Sequence, residues 1–379
     1  MKREYFLFFI FCIVESSQKE LVSVQVLWRH GDRTPTNPAE DYDPNKNYKW
    51  TVPLGELTPT GMRQHYELGK RLMKRYTKEY KLISKVYNAT DFYCRSTDKN
   101  RALASAYCNL AGFFSKSEDY FDKKENEWKF DWVPVPVHST NLANDYLLNT
   151  SWNCTRLKQL EEQRLATPEF IAFQKSNTAL FNYFQNHANV TVNSYKTLKK
   201  MYGTIRVEKE YYNLEQPSWL TDKIYNDMKS FVEHSINYVF GGPGFNLPED
   251  IELLKLKGGN LLSTMINNME RVIGNKEIQK FISYSSHDTT LMSFANVLQA
   301  KDLILGSSLL DYASNFLVEL WRDSDNEYYV KVLYGKNAFD TWEVVTDKIG
   351  GCDGDYCFFK DFKIRSEKYI LPDPLNSCT

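Results

Sequence analysis

The chain lacks a bulk electrostatic signature. Its 47 Lys and Arg stand against 48 Asp and Glu, a formal net charge of −1 over 379 residues. Attachment to nucleic acid by bulk charge needs a positive excess, so that partner is excluded and any anion must be met by a local cluster. Beyond the N-terminus no apolar run reaches the about 18 residues of a membrane helix, so no membrane anchor is expected. Internal repeats and low-complexity tracts are also missing. His138, His187 and His234 lack paired-ligand spacing, and no metal site is predicted for them. Glycine is missing where one known chemistry would need it. "CRSTDKNR" (94–101) imitates the loop of the cysteine phosphatases, but one residue too many separates Cys94 from Arg101 and none between them is glycine. The backbone there cannot close around an anion, and Cys94 is rejected as a nucleophile.

What is present describes an exported globular protein. The chain is 42% hydrophobic and 25% charged, and its 25 Tyr and 23 Phe are enough to fill a large interior. Lys2 and Arg3 precede the apolar run "YFLFFIFCIV" (5–14), too short to span a bilayer but the right length for a secretory signal, with cleavage expected after Ser16. Sequons at Asn88, Asn149, Asn153 and Asn189 are the expected glycosylation sites, with Asn149 and Asn153 in competition. Cys12 leaves with the signal and six cysteines remain, an even number in an oxidising compartment. Cys352 and Cys357 enclose the polar loop "DGDY" and are expected to bridge locally. Cys378 needs a distant partner, for which Cys154 is the best candidate. Cys94 and Cys108 could pair or stay thiols.

Three segments share one plan, an apolar strand ending in charged or polar residues ahead of a helix. They are "VSVQVLWRHGDRTP" from Val22, "DFYCRSTDKNRALASAYC" from Asp91 and "FISYSSHDTTLMSFANVLQ" from Phe281. A fourth, "GELTPTGMRQHYELGKRLMKRY", has a helix-start signal at Thr58-Pro59 and apolar spacing at Met62, Tyr66, Leu68 and Leu72. Residues 138–270 carry mainly helical runs, and "NFLVELWRD" and "YYVKVLYG" suit an antiparallel pair at the sheet edge. The expected architecture is α/β: a mixed, mostly parallel sheet flanked by helices, with a second, smaller helical insertion domain over the crevice at the strand ends. The boundaries are a signal peptide at 1–16, a discontinuous core at 17–137 and 271–379, and the insertion at 138–270.

The charge at those strand ends costs free energy to bury unless it meets an anion. Arg29 and Arg33 flank His30, Arg95 closes the second strand, and His287 and Asp288 close the third. Guanidinium forks suit phosphate oxygens, a neutral imidazole nitrogen can attack phosphorus, and a carboxyl can protonate a leaving alcohol. His65 is read as a surface or packing histidine. Asp98 and Arg101 are read as helix-capping and salt-bridge residues, and Asp32 as orienting its neighbouring arginines.

"RHGDRTP" (29–35) resembles the signature of the histidine acid phosphatases, a branch of the phosphoglycerate-mutase-like superfamily. "GELTPTGMRQHYELG", "CRSTDKNR" and "SSHDTT" resemble later segments of that family in order and spacing, across essentially the whole mature chain. The resemblance implies His30 as the nucleophile that forms a phosphohistidine and Asp288 as the proton donor. It makes Arg29, Arg33, Arg95 and His287 the phosphate ligands, without a metal or other cofactor. It also implies the Cys154–Cys378 and Cys352–Cys357 bridges and a homodimer. Cys94 and Cys108 look peculiar to this sequence. "HDTT" in place of the phytase branch's "HDTN" favours a broad exported acid phosphomonoesterase, secreted or in the lysosomal lumen. The alternatives are a phytase or inositol-polyphosphate phosphatase, and a catalytically silent secreted protein that binds a phosphate ligand.

Overall fold

A computed structural model describes residues 19–38, 40–115, 133–307 and 309–378. The expected signal segment and Cys12 lie outside the described residues. Eight strands form one sheet: β1 (Glu20–Arg29), β2 (Phe92–Ser96), β3 (Val137–His138), β4 (Phe281–Ser286), β5 (Asn315–Arg322), β6 (Tyr328–Gly335), β7 (Glu343–Val344) and β8 (Cys357–Phe358). Their order is β3-β2-β4-β1-β5-β6-β7, with β8 also paired to β6. The run β3-β2-β4-β1 is parallel, and β5 and β6 continue it antiparallel. The β5–β6 pair is the expected one, although β5 lies inside the sheet against β1 and only short strands flank β6.

Strand β1 is buried on both faces, so its sequence reads as a continuous apolar run. Val24, Val26 and Trp28 enter a core shared with Leu68, Leu72, Phe113 and Phe281. Leu27 points the other way, into a core that also holds Ile282, Phe294 and Phe316 and extends without a break to Phe170, Phe184 and Phe231. On that second face Gln25 donates from Nε2 to Met265 O at 2.8 Å, so a polar side chain inside the sheet is satisfied.

Helices α1 (Pro59–Met73) and α2 (Asn100–Phe113) pack on the first face. Thr58 caps α1 by accepting from Gly61 N, as the Thr-Pro signal predicts. The buried stripe of α1 differs from the expected one. Met62 and Tyr66 are exposed, and Gly61, His65, Leu68, Gly69 and Leu72 face inward. The cause is close backbone contact between the helices: a Cβ on Gly69 would stand 1.9 Å from Asn109 O, and one on Gly112 would stand 2.0 Å from Tyr66 O. The close approaches at Gly69 and Gly112 set the rotation of α1, so that Leu68 and Leu72 face inward as expected and Met62 and Tyr66 do not.

Between β3 and β4 the chain is helical: α3 (Thr155–Leu165), α4 (Pro168–Ser176), α5 (Thr178–Ala188), α6 (Tyr195–Arg206), α7 (Asp222–Val239), the short α8 (Ile251–Leu254) and α9 (Asn260–Ile273). Helix α10 (Asp288–Val297) follows β4 directly. The Cys154–Cys378 disulfide ties the start of α3 to the C-terminal segment, and Cys352–Cys357 closes its own loop. Cys94 and Cys108 are free thiols, which settles the pairing that the sequence leaves open.

Candidate active site

Strands β2, β4 and β1 are neighbours, so their carboxyl ends open on one crevice, as the shared sequence plan predicts. There the chain leaves β1 as Arg29-His30-Gly31-Asp32-Arg33. This turn sits directly on the first turn of α1. A Cβ on Gly31 would stand 2.5 Å from Gly61 O, and one on Gly61 would stand 2.3 Å from Asp32 O. Glycine is needed at both positions for the loop and the helix to touch. Asp32 N donates to Gln64 Oε1 at 2.8 Å, and the Asp32 carboxylate accepts from the Thr58 hydroxyl and, at 2.8 Å, from the Tyr212 hydroxyl. Asp32 therefore fastens the loop to α1 and to the helical segment, where the sequence suggested that it orients arginines.

His30 is buried, and its Nδ1 lies 2.8 Å from Gly31 O. A carbonyl accepts only from N–H, so the proton sits on Nδ1 and the lone pair on Nε2. Burial holds the imidazole well below its ordinary pKa, with Arg101, Arg29, His287 and Arg33 adding to the effect. Burial therefore favours the neutral ring. It lies edge-on to His287 with centroids 5.4 Å apart, and 5.9 Å from Tyr312. His287 is pushed down to about 3, by burial first and then by Arg101, against the pull of Asp288.

Arg29 stacks its guanidinium 4.3 Å from the Tyr312 ring centroid and places Nη2 3.3 Å from Asp288 Oδ2. Arg33 donates from Nη1 to Thr34 O at 2.8 Å. Arg101 and, from α6, Arg206 are the other arginines of the crevice. Arg206 donates from Nε to Glu210 Oε2 at 2.9 Å, whereas Arg101 forms no ion pair among the described residues. Arg101 lines the same cavity as Arg29, Arg33, Asp288 and Tyr312, and burial together with Arg33 and Arg29 brings its pKa down to about 10. Arg29, Arg33 and Arg101 each keep a buried Nε without a hydrogen-bond partner among the described residues. Of these guanidinium groups only Arg29 is paired with Asp288, and a cavity lined by arginines in such excess is an arrangement that a bound oxyanion relieves.

Arg95, expected among the phosphate ligands, is not one of the residues lining this cavity. Its Nη2 donates to Asp145 Oδ1 at 2.9 Å and lies 3.3 Å from Thr140 Oγ1. The reason is geometric. Arg95 lies within β2, in register with His138 and Tyr284, so its side chain stands off one sheet face where buried Asp145 receives it. Arg101 is in the first turn of α2, where side chains lean back toward the helix N-terminus and so toward the strand ends. Arg101, expected to cap the helix and form a salt bridge, lines the cavity instead, and α2 has no side-chain cap.

Asp288 opens α10, the next turn after β4. Burial alone would raise its carboxyl. Arg29, His287, Arg33 and Arg206 outweigh that and hold it well below the usual carboxylate range. Thr289 and Thr290 anchor this helix start to Thr150 Oγ1 and Leu148 O at 3.1 and 2.7 Å. His65, read as a surface or packing residue, is fully buried, and its Nε2 lies 3.0 Å from Arg29 O, under the loop that follows β1. Burial lifts the Cys94 thiol to about 12, in keeping with its rejection. Among the cavity residues that sequence reading missed are Tyr312, Arg101 and Arg206. Arg101 at least stood inside a recognised motif, whereas nothing local marks Tyr312.

Comparisons with known proteins identify the family. The family model described as Histidine phosphatase superfamily (branch 2) matches residues 20–335. Lysosomal acid phosphatase of Rattus norvegicus is 28% identical over 363 residues, covering 95% of this chain and 80% of that protein. Prostatic acid phosphatase of Homo sapiens is 32% identical over 338 residues, covering 87% and 81%. Among solved structures, Hafnia alvei phytase in complex with myo-inositol hexakis sulphate matches with a TM-score of 0.65 at 15% identity, over 95% of this chain and 98% of that one. At that identity the likeness speaks to the fold alone. With the match spanning most of its length, the chain belongs to branch 2 of the histidine phosphatase superfamily.

Proposed function

We propose that the protein is an exported acid phosphatase that hydrolyses phosphomonoesters through a covalent phosphohistidine on His30. The observation that carries this is the neutral His30 imidazole, with Nδ1 tied to Gly31 O and Nε2 left free, beside Arg29, Arg33 and Arg101. In this reading the phosphoryl oxygens lie on Arg29, Arg33 and Arg101, with His287 donating a further hydrogen bond. Arg101 takes the place that the sequence gave to Arg95. His30 Nε2 attacks phosphorus, the P–O bond to the alcohol breaks, and Asp288 transfers its proton to the departing oxygen. Water then attacks the phosphohistidine, Asp288 takes the proton from that water, and phosphate and free His30 are released. The guanidinium groups offset the charge that develops on the transferring group.

In the free site Asp288 is ionised, because Arg29 and Arg33 hold it so. A phosphate dianion bound on those arginines cancels the charges that keep the proton off, and then disfavours a second anion beside it. The acid form of Asp288 thus belongs to the substrate complex, and low pH favours it. The basic N-terminus with its apolar run supports export, secreted or to the lysosomal lumen, and among the described residues no helix is long and apolar enough to cross a membrane.

The test is hydrolysis of phenyl phosphate with EDTA present, wild type against His30→Ala, followed by acid-labile phosphoenzyme trapping. Activity that chelator leaves intact and the substitution abolishes, with label trapped only on the wild type, is the expected result. A folded wild-type protein without turnover at any pH would leave the phosphate-ligand binding protein as the better reading.

A further inference from the structure

The cavity that holds Arg29, Arg33 and Arg101 continues past them. Its volume is about 690 Å3, and it runs between helices where Leu165 of α3, Val232, Ile236 and Val239 of α7, and Phe240 form an apolar wall. Helix α6 brings Tyr195, Lys199 and Tyr202 to this wall, and the Tyr195 and Tyr202 hydroxyls are buried without hydrogen-bond partners among the described residues. Tyr195 is 3% exposed. One helical turn further on, Lys199 lies on the same side of α6 and also lines the cavity. Its ammonium sits 5.6 Å from the Tyr195 ring centroid and 5.4 Å from that of Phe240, and it makes no hydrogen bond or ion pair among the described residues.

Nearby carboxylates do not satisfy Lys199. Glu161 on α3 accepts from buried Lys257 at 2.6 Å, and Asp288 is engaged with Arg29. The other lysines of the cavity are accounted for: Lys158 donates to Asn153 Oδ1 at 3.0 Å, Lys200 pairs with Glu40 at 3.1 Å, and Lys196 is exposed to solvent. Burial lowers the pKa of Lys199, while Asp288 and Glu161 raise it. A cation left unpaired in an apolar wall is costly unless a ligand brings the anion.

We propose that Tyr195 and Lys199 form a leaving-group subsite that selects phosphomonoesters whose alcohol is an apolar body ending in a carboxylate. The phosphate rests on the arginines, the hydrocarbon lies along the α3–α7 wall, and the distal carboxylate meets Lys199 and the Tyr195 hydroxyl. This rests on the phosphatase reading above. A polyol bearing phosphates all round fits less well, since its hydroxyls would lie against Val232, Ile236 and Val239 without partners.

The experiment compares n-alkyl phosphates with ω-carboxyalkyl phosphates of matched, increasing length, with phenyl phosphate and inositol hexakisphosphate measured alongside. At the length that reaches Lys199 the carboxylate substrate is expected to exceed its alkyl counterpart by about tenfold in kcat/KM, mostly through KM. Lys199→Met should bring that ratio to near one, and Lys199→Arg should keep most of it. The proposal is overturned if no length favours the carboxylate in the wild type, if Lys199→Met keeps the preference, or if inositol hexakisphosphate is the better substrate. Phenyl phosphate separates the two failures: its hydrolysis without any carboxylate preference removes this inference alone, and its inertness removes the phosphatase reading as well.

Discussion

Arg95 and Arg101 lie six positions apart in one motif and do different work, which substitution separates. Arg101→Ala removes a guanidinium from the arginines that line the cavity and, on the proposed reading, is expected to lower kcat/KM for phenyl phosphate by about 10²-fold or more, with little change in melting temperature. Arg95→Ala leaves the Asp145 carboxylate buried without its cation. The expected result is a loss of about 3 kcal/mol in stability by denaturant unfolding, with catalysis per folded molecule much less affected. The opposite pattern would return Arg95 to the site. Asp288 is tested by leaving group and pH together. Its carboxyl is held low in the free site; if it is the proton donor proposed above, it is protonated in the complex, and kcat is expected to fall as pH rises through its pKa there. Asp288→Asn should erase that fall. It should also slow an alkyl phosphate by about 10²–10⁴-fold, while p-nitrophenyl phosphate, whose leaving oxygen needs less protonation, slows far less. Equal losses on both substrates would place the acid elsewhere.

At the scale of elements, the loop that carries His30 is positioned by contact between backbones. Gly31 touches Gly61, and α1 is set against α2 through Gly69 and Gly112, so His65 of α1 arrives beneath Arg29. Gly69→Ala puts a methyl group where Asn109 O stands and forces the helices apart. Overpacking of this kind costs about 1–3 kcal/mol, and because α1 carries the loop, phenyl phosphate turnover should fall along with the unfolding midpoint. A variant that melts earlier but keeps full turnover would show that α1 does not hold the loop in register. These contacts also explain where sequence reading of α1 failed. The cap at Thr58 is a local hydrogen bond between neighbours in the chain, so it was legible. The rotation of the helix depends on a partner some forty positions away, and there hydrophobic periodicity pointed to Met62 and Tyr66.

For the whole molecule, export predicts glycans, and the surface divides the four sequons. Asn88, Asn153 and Asn189 are exposed. Asn149 is half-buried, and its Nδ2 donates to Leu142 O at 2.8 Å, so its amide nitrogen is engaged. Glycopeptide mass spectrometry of protein from a eukaryotic secretory host should find occupancy at Asn88, Asn153 and Asn189 and little at Asn149. Full occupancy at Asn149 would mean that modification precedes folding of that segment.

The sequence by itself determined the elements whose cause is local and the residues whose chemistry is intrinsic. These are the strand before Arg29, the starts of α1, α2 and α10, the antiparallel pair β5–β6, and the grouping of Arg29, His30, Arg33, His287 and Asp288. Alternating or continuous apolar character and capping residues act over a few positions, so they can be read in one dimension. Tertiary structure decided which arginine completes the cluster, that His65 is buried, that Tyr312 backs Arg29, and that Lys199 stands unpaired in an apolar wall. Each of these depends on the direction a side chain takes from its element and on what a distant segment places opposite it. A sequence carries neither until the chain is folded.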